Sequence, residues 1–315
     1  MISKIKDLSN VLTAIVGPEG EDQRVDNFLL RRCKGVPRSH IYRILRSGEV
    51  RVNSKRVDAT SRLREGDRVR IPPMRVAEKS PAGKPRARPM ELPVVYEDEA
   101  LLVIDKPSGT AVHGGSGVSY GVIEAMRAAR PGLKFLELVH RLDRDTSGLL
   151  MLAKKRSALT RLHADLREGR VGKRYLALVK GSFGNSERRV GLSLRKYLTH
   201  AGERRVSVDP EGKEALTVFR PEQRYRDFTL VSAELHTGRT HQIRVHLAHL
   251  GFPIAGDDKY GDFDLNRDLT KTGLKRMFLH AGELSFVHPL TGKTVALRAP
   301  LPPELDSFLR RLEKP

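Results

Sequence analysis

The segment HRLDRDTSG, from His140 to Gly148, concentrates charged side chains between two apolar stretches, FLELV and LLMLA. Its two carboxylates belong to Asp143 and Asp145, and basic side chains flank both of them. Placing charges beside core strands is costly unless they are paired or needed for chemistry. An ionised carboxylate in such a position can act as a nucleophile or as a general base. The alternative is an ion-paired turn that caps a strand, so this segment alone does not establish an active site.

A second basic segment, TGRTHQIRVH, runs from Thr237 to His246. It places Arg239 ahead of a predicted helix and Arg244 within the first two turns of that helix. An arginine in this position can reach a carboxylate from another loop and keep it ionised. The nearby histidines raise the question of a metal site; they are His241, His246 and His249. Their spacing does not form a set on one helix face, and no glutamate follows as in HExxH, so we expect no metal site.

A tyrosine follows two basic residues in the segment KRY, from Lys173 to Tyr175, at the start of a predicted strand. A tyrosine at such a position ordinarily packs in a core or at a sheet edge, so by itself it indicates no chemistry.

The usual signatures of cofactor binding are missing from the sequence, which has no Walker loop and no GxGxxG after a strand. Neither of these two nucleotide-binding motifs therefore points to a cofactor.

Residues beyond about 93 alternate between strand and helix patterns, which predicts an α+β domain with a mixed sheet. The predicted strands include 148–155, 174–181 and 228–235, and a helix is predicted at about 157–168. A further helix covers THQIRVHLAHLG, with Thr240 as the expected N-cap and Gly251 at its end. The carboxylate segment, the tyrosine and Arg244 would thus all lie at the ends of strands or helices.

Residues 23–73 form a compact pattern of two helices followed by short strands. Ser39 is the expected N-cap of the second helix, and Asn53-Ser54-Lys55 is the expected turn between two strands. This segment, from RVDNFLLRRC to REGDRVRI, resembles the S4 RNA-binding domain. The resemblance implies that RNA meets the second helix and the turn after it, through Arg38, Ser39, Arg43, Arg46, Lys55 and Arg56. The alternative interpretation is a solvated helix surface.

The S4-like pattern divides the rest of the chain into three segments. Residues 1–22 are predicted to be an N-terminal extension, and 74–92 a basic linker in which repeated prolines block regular structure. The catalytic domain would then occupy residues 93–315. The fold class that we expect for the whole chain is α+β, with a small S4-like domain of two helices and short strands ahead of a mixed-sheet domain.

The chain carries 58 Lys and Arg against 38 Asp and Glu, a net charge of +20. Residues 1–90 hold 21 basic and 10 acidic side chains, so they supply +11, and the other 225 residues supply +9. Such a basic excess favours a nucleic-acid partner over the alternative of a solvated basic surface.

No apolar run approaches 18 residues, no signal peptide is evident, and Cys33 is the single cysteine. We expect a cytoplasmic protein without membrane contact or an internal disulfide.

Five segments of the second domain occur together in a fixed order. They are DKPSGTAVH, HRLDRDTSG, KRYLALV, TGRTHQIRVHLAHLGFPIAGDDKYG and FLHA. In this combination the chain resembles the RluA family of pseudouridine synthases, over roughly residues 91–300. Flanking details, such as GVPRSHIYRILRSGEVRVN and FLELVHRLDRDTSG, are similar to the branch of that family that modifies several uridines of bacterial 23S ribosomal RNA.

The resemblance implies a role for individual residues. Asp143 matches the catalytic aspartate, Tyr175 the tyrosine that lies against the target base, and Arg244 the arginine paired with the aspartate. Arg141 matches a residue that enters the RNA helix where the target nucleotide leaves it, and Leu279 matches an apolar residue that lines the pocket. The family also implies a reaction without cofactor or metal, on 23S rRNA or the assembling large ribosomal subunit. A monomer is the default expectation.

Two other functions compete with this prediction. A non-enzymatic ribosome-assembly factor would explain the S4 pattern and the charge, but not the motifs around Asp143 and Arg244. A glycosylase or nuclease could use the same carboxylate, although nucleases usually need clusters of metal-binding carboxylates, which the sequence does not show. The sequence also leaves open whether Asp143 would attack C1′ of the ribose or remove a proton from C2′. Isomerisation of uridine remains the function that the motifs favour.

Overall fold

A computed structural model describes residues 10–74, 89–114, 120–199 and 202–313. The chain divides into two compact units, Met1–Arg86 and Ala87–Pro315, each with its own hydrophobic core. Much of the predicted linker, 74–92, lies outside the described residues. The prediction of a small domain followed by a larger mixed-sheet domain is confirmed.

The first unit packs two helices against a four-stranded antiparallel sheet of order β1-β4-β2-β3. Its elements are β1 (Leu12–Ile15), α1 (Val25–Arg32), α2 (Arg38–Arg46), β2 (Arg51–Val52), β3 (Lys55–Arg56) and β4 (Arg68–Ile71). A turn through Asn53 and Ser54 joins β2 to β3, and both residues have positive φ, as a tight hairpin requires. The predicted turn at this point is therefore confirmed.

Two details of the first unit correct the predictions. Residues 1–22 were expected to be an extension, but β1 pairs with β4 in register from Leu12↔Ile71, and Val16 is buried in the core. The partner strand lies far along the chain, so no local pattern indicates this pairing. Ser39 is not an N-cap, because Pro37 occupies that position and α2 begins at Arg38.

The second unit contains twelve strands and five helices within the described ranges. Its first half consists of β5 (Val94–Glu97), β6 (Leu101–Lys106), α3 (Val122–Ala129), β7 (Glu137–Leu138), β8 (Ser147–Ala153), α4 (Arg156–Arg167), β9 (Gly172–Lys180), β10 (Arg188–Gly191), β11 (Leu194–Leu198) and β12 (Arg204–Val208). Its second half consists of β13 (Leu216–Arg224), β14 (Phe228–Leu235), α5 (Gln242–His249), α6 (Phe263–Lys271), β15 (Leu279–Val287), β16 (Thr294–Arg298) and α7 (Pro303–Arg311). The predicted strands and helices of this region agree with these bounds to within a few residues.

A ten-stranded mixed sheet organises the second unit, with the main order β10-β13-β14-β9-β15-β8-β6-β5. Strand β15 pairs in parallel with β8, and the other pairings in the described part of this sheet are antiparallel. Strands β11 and β12 form a separate hairpin. The mixed sheet with helices confirms the α+β prediction.

Strand β8 is buried on both faces, which explains its continuous run of apolar residues. Leu150 and Leu152 pack into one hydrophobic cluster, whereas Leu149 and Met151 pack into another. Successive side chains of a strand point to opposite faces of the sheet, so the two clusters lie on its two sides. Within the residues that the structure covers, no helix is both long enough and apolar enough to cross a membrane.

Candidate active site

Three neighbouring strands, β8, β15 and β9, bring the predicted site residues to one end of the sheet. The loop with Asp143 leads directly into β8, Tyr175 lies on β9, and Leu279 is the first residue of β15. At this point Gly148 has φ +110°, and a Cβ there would lie 2.3 Å from the carbonyl oxygen of Ala281. The TSG sequence thus permits the close approach of β8 to β15.

The carboxylate of Asp143 faces an arginine and a histidine. Nη1 of Arg244 lies 3.5 Å from its Oδ2, and Nε2 of His241 lies 3.9 Å from its Oδ1. The side chain of Asp143 is 18% exposed, so it remains open to the cleft. Opposite charges at this distance attract each other. The structure therefore brings Asp143 and Arg244 together as the sequence predicts, although they are 101 residues apart.

Arg244 is held by a second carboxylate that the sequence analysis missed. Its Nε and Nη2 donate to Oδ2 and Oδ1 of Asp257 at 2.7 and 2.6 Å, a bidentate pair that is almost fully buried. Asp258 lies 3.3 Å from Nη2. Burial acts to lower the pKa of Arg244, but the hydrogen bonds and charge of Asp257, together with the charges of Asp143 and Asp258, outweigh burial, so that the pKa is raised. Both carboxylates belong to the segment GDDKYG, which forms part of the family pattern.

Tyr175 is buried in the wall of the cleft near Asp143. Burial, reinforced by the charge of Asp143, raises the pKa of the Tyr175 phenol above its usual value. The phenol therefore keeps its proton at neutral pH. It offers a flat apolar surface and a hydroxyl, rather than a resident phenolate base.

The cleft around Asp143 has a volume of about 470 Å³. Its lining includes Arg141, Asp143, Tyr175, His241, Arg244 and Leu279. Arg141 is exposed and Leu279 is buried, in keeping with a polar side chain at the surface and an apolar one in the wall. Five of the predicted site residues thus line one concave pocket, which is the usual form of a small-molecule or base-binding site.

The backbone beside Asp143 is fixed by buried polar groups. Lys106 is fully buried, and its ammonium donates to the carbonyl oxygens of Pro107, Thr110 and Arg144 at 2.8–3.0 Å. Burial lowers the pKa of Lys106 to about 8. Lys106 thereby ties the DKPSG turn to the loop that carries Asp143.

Helix α5 begins differently from the prediction. His241, not Thr240, is its N-cap residue, with φ +53° in the left-handed region, and α5 runs from Gln242. The side chain of Gln242 holds the loop ahead of the helix, because its Oε1 accepts from the backbone N–H of Arg239 at 2.9 Å and from Thr237 Oγ1 at 2.8 Å. A left-handed residue ahead of a helix has no signature that a cap rule detects.

The other histidines of the HQIR segment are not brought together at a metal site. Nε2 of His246 donates to the carbonyl oxygen of Leu192 at 3.0 Å, and its Nδ1 lies 3.0 Å from Thr217 Oγ1. His246 therefore links α5 to β13 and a neighbouring loop. Across the described ranges, no group of three His, Cys, Asp or Glu side chains is arranged to hold a metal ion.

The β11–β12 hairpin carries cations on both faces, and only one face is neutralised. The face that packs on α5 through Leu194 and Val206 also carries Lys196 and Arg204. Partial burial, and then the charges of Arg141, Lys213 and Arg204, lower the pKa of Lys196. Within the described part of the chain, no ion pair is formed by any of the four cations Arg141, Lys196, Arg204 and Lys213. On the other face of the hairpin, Arg195 pairs with Asp209 and Glu211, and Arg205 pairs with Glu203.

The predicted RNA-binding residues of the first unit lie on its surface. All are exposed, namely Arg38, Ser39, Arg43, Arg46, Lys55 and Arg56. Arg43 forms an ion pair with Glu49 at 3.2 Å, and Arg56 donates to the carbonyl oxygen of Arg46 at 2.6 Å. They share α2 and the hairpin after it, which is where the S4 resemblance places them.

Comparison with known proteins supports both units. The profile of the family described as RNA pseudouridylate synthase matches residues 100–249, and that of the S4 domain matches residues 23–69. The chain is 53% identical over 308 residues to ribosomal large subunit pseudouridine synthase C of Escherichia coli (strain K12), with 96% of each chain covered. It is 49% identical over 310 residues to the protein of the same name from Haemophilus influenzae, with 97% of this chain and 96% of the relative covered.

A solved structure has the same fold as the second unit. The protein titled human RNA pseudouridylate synthase domain containing 1 superposes with a TM-score of 0.58 and 25% identity, over 71% of this chain and 97% of the other. Asp143, Tyr175 and Arg244 all fall within the segment that the synthase profile matches. Because about half of its residues are identical to those of the Escherichia coli synthase over nearly the whole length of both chains, the chain belongs to the RluA family of RNA pseudouridine synthases.

Proposed function

We propose that this enzyme isomerises specific uridines of bacterial 23S ribosomal RNA to pseudouridine, with Asp143 as the catalytic carboxylate. The observation that carries the proposal is the position of Asp143, open to the cleft and 3.5 Å from the buried Arg244. The relatives whose names specify the large ribosomal subunit are similar over both units, so the substrate class is supported by more than the catalytic fold.

The reaction rearranges one nucleotide without net gain or loss of atoms. The C1′–N1 bond breaks, the uracil turns within the site, and C5 joins C1′. C5 then loses its proton, and N1 ends with a proton. The reaction requires neither redox chemistry nor an external group donor, which is why we propose that it proceeds without a cofactor or a metal ion.

Asp143 would supply the charge that the first step needs. Its carboxylate could attack C1′ to form a covalent intermediate, or remove a proton from C2′ so that the ribose becomes a glycal. Both routes use the negative charge of a carboxylate, and the guanidinium of Arg244 lies 3.5 Å from that of Asp143. The geometry supports Asp143 as the reacting residue in either route.

Tyr175 and Leu279 would confine the detached uracil. The tyrosine ring is buried beside Asp143, and Leu279 adds an apolar wall. A base held in such a pocket recombines with the same ribose as an intramolecular event, which is far faster than recombination from solution. Because the Tyr175 phenol keeps its proton, we propose that it contacts the base as a neutral ring.

RNA must deliver a nucleotide that has left its stack, because the cleft accepts a single base rather than a duplex. We propose that Arg141 enters the RNA where the target leaves, and that Lys196, Arg204 and Lys213 contact the backbone beside it. Their unpaired charges beside the cleft support this assignment. The S4 residues of α2 and β3 would hold a second part of the rRNA. We further propose a cytoplasmic monomer that acts on 23S rRNA or on the assembling large subunit.

The test is a pseudouridine map of 23S rRNA from cells that carry the wild-type chain, Asp143→Asn or Asp145→Asn. Asp145 lies two residues away in the same loop and pairs with Arg144, so its variant is a matched control for loss of charge. We expect Asp143→Asn to lose a few discrete pseudouridines and Asp145→Asn to keep them. An unchanged map with a stably folded Asp143→Asn protein would contradict the assignment and favour the non-enzymatic assembly factor.

A further inference from the structure

His241 occupies an unfavourable backbone conformation at the edge of the cleft. Its φ of +53° is left-handed, and in the described part of the second unit it is the one residue other than glycine with positive φ. A non-glycine residue in this region costs free energy, and such residues persist where the surrounding structure fixes them, often at functional sites. We therefore looked for contacts that hold His241 in this conformation and for a function that they serve.

Tyr260 fixes the orientation of the His241 ring. The backbone N–H of Val206 donates to the Tyr260 hydroxyl oxygen at 2.9 Å, and the same hydroxyl lies 2.8 Å from Nδ1 of His241. Burial raises the pKa of Tyr260 to about 12, so the hydroxyl keeps its proton. Because the amide of Val206 can only donate, the hydroxyl proton is free to point toward Nδ1.

A hydrogen bond donated by the Tyr260 hydroxyl to Nδ1 would determine which nitrogen of His241 carries a proton. Burial lowers the pKa of His241, although the charge of Asp143 acts in the opposite direction, so the ring is neutral at neutral pH. If Nδ1 accepts from Tyr260, the single ring proton is on Nε2. The charged groups around the ring are Asp143, Arg244, Asp257 and Lys259. Nε2 is the nitrogen that faces Asp143.

The two oxygens of Asp143 thus face two different donors. Arg244 lies beside Oδ2 at 3.5 Å, and the Nε2–H of His241 lies beside Oδ1 at 3.9 Å. The second distance exceeds a hydrogen bond, but catalytic contacts are often long before substrate binds and shorten in the complex. Two donors on two oxygens fix the plane of a carboxylate, whereas one donor leaves it free to rotate.

We propose that His241 is a positioning residue for Asp143, and that Tyr260 sets the tautomer in which His241 presents Nε2–H to the carboxylate. The proposal rests on the proposed function, because Asp143 must be the reacting group. It also gives the β12 backbone a link to the carboxylate, through Val206, Tyr260 and His241.

Two substitutions of His241 separate positioning from a structural role. The amide nitrogen of glutamine can take the place of Nε2 and still face Asp143, whereas the shorter asparagine can take the place of Nδ1 and keep only the bond to Tyr260. Asparagine also tolerates the left-handed conformation better than glutamine does. A structural role therefore predicts that His241→Asn is the better enzyme, and positioning predicts that His241→Gln is.

The measurement is tritium release from C5 of labelled uridine in transcribed 23S rRNA, under single turnover with the full chain. We expect His241→Gln to stay within about 10-fold of the wild-type maximal rate and His241→Asn to fall on the order of 100-fold, because small misplacements of a reacting group have effects of this size. The enzyme concentration at half-maximal rate should change little in either variant. The proposal would be overturned if His241→Asn had a maximal rate equal to or higher than that of His241→Gln. It would also be overturned if the substitutions changed only the enzyme concentration at half-maximal rate.

Tyr260→Phe provides the second test, and it still tests the positioning role of His241 if both His241 variants are inactive. It removes the hydroxyl but keeps the ring, whose centroid lies 5.2 Å from the Arg244 guanidinium. Tyr96→Phe is the matched control, since Tyr96 bonds Asp98 at 2.7 Å away from the cleft. A slower maximal rate for Tyr260→Phe alone supports the proposal, and a wild-type rate overturns it. No release from the wild-type chain would instead count against the proposed function.

Discussion

Arg244 contacts three carboxylates, and each contact has a different geometry. Asp257 holds it through two short hydrogen bonds in a buried setting, Asp143 lies at 3.5 Å, and Asp258 is largely exposed. A planar guanidinium that is bound bidentately on one edge has little freedom left. The direction in which Nη1 points at Asp143 is therefore set by Asp257 before any RNA binds.

We expect Asp257→Asn to reduce the maximal rate on the order of 100-fold, because Arg244 would lose its orientation toward Asp143. The same substitution should lower the free energy of unfolding by about 3–5 kcal/mol, since it leaves a buried guanidinium without its main partner. Single-turnover rates and denaturant titrations measure the two effects. Asp258→Asn is the control, and its values should stay close to wild type; equal effects at the two positions would contradict the assignment.

The β11–β12 hairpin separates its charges by face. Lys196 and Arg204 share the face that packs on α5, and no carboxylate within the described residues pairs with either. Arg195 lies on the opposite face and is paired with Asp209 and Glu211. A row of unpaired cations beside a cleft raises the local concentration of a polyanion, and a neutralised row does not.

The hairpin predicts a difference in salt dependence between two neighbouring positions. Lys196→Ala should weaken rRNA binding and reduce the slope of log K against log salt by about 0.7–0.9, the value expected for one lost phosphate contact. Arg195→Ala should leave the slope near that of the wild-type chain, because its charge is already paired. Binding titrations from low to physiological salt measure both slopes. Equal slopes for the two variants would show that the face of the hairpin that packs on α5 does not contact the RNA backbone.

Local patterns predicted some elements well and missed others for a physical reason. Strand β14, predicted at 228–235, has those bounds because its alternation and β-branched residues are local properties. Strand β1 was missed, since its stability comes from pairing with β4 and not from its own sequence. The position of Arg244 indicated a carboxylate partner, and the family resemblance identified that partner as Asp143. The Asp257 and Tyr260 contacts, by contrast, depend on turns that no local rule describes.

At the scale of the whole molecule, both units carry charge that can bind RNA, whereas the catalytic residues belong to the second unit alone. Residues 1–90 supply +11 of the net +20, whereas Asp143, Tyr175 and Arg244 all belong to the second unit. Each unit has a hydrophobic core of its own. The division predicts that affinity for rRNA and the rate of the chemical step can be changed separately.

Deleting residues 1–80 should weaken rRNA binding about 10-fold or more at physiological salt, because it removes the S4 cations. The truncated chain should keep its fold, and its rate at saturating enzyme concentration should approach that of the full chain. Binding titrations, circular dichroism and single-turnover rates measure the three properties. Unchanged efficiency at physiological salt would contradict the role proposed for the S4 unit.

The position of β15 in the sheet has a consequence for folding. Strand β15 lies between β8 and β9, and the bond between Ser147 and His280 joins residues 133 positions apart. Contacts of such long range form late, because closing a large loop must precede any gain from the pairing. A ribosome that has made the chain only to residue 271 has already made Asp143 and Arg244, but not the strand that completes the sheet beneath them. Synthesis itself thus delays activity until almost the whole protein exists.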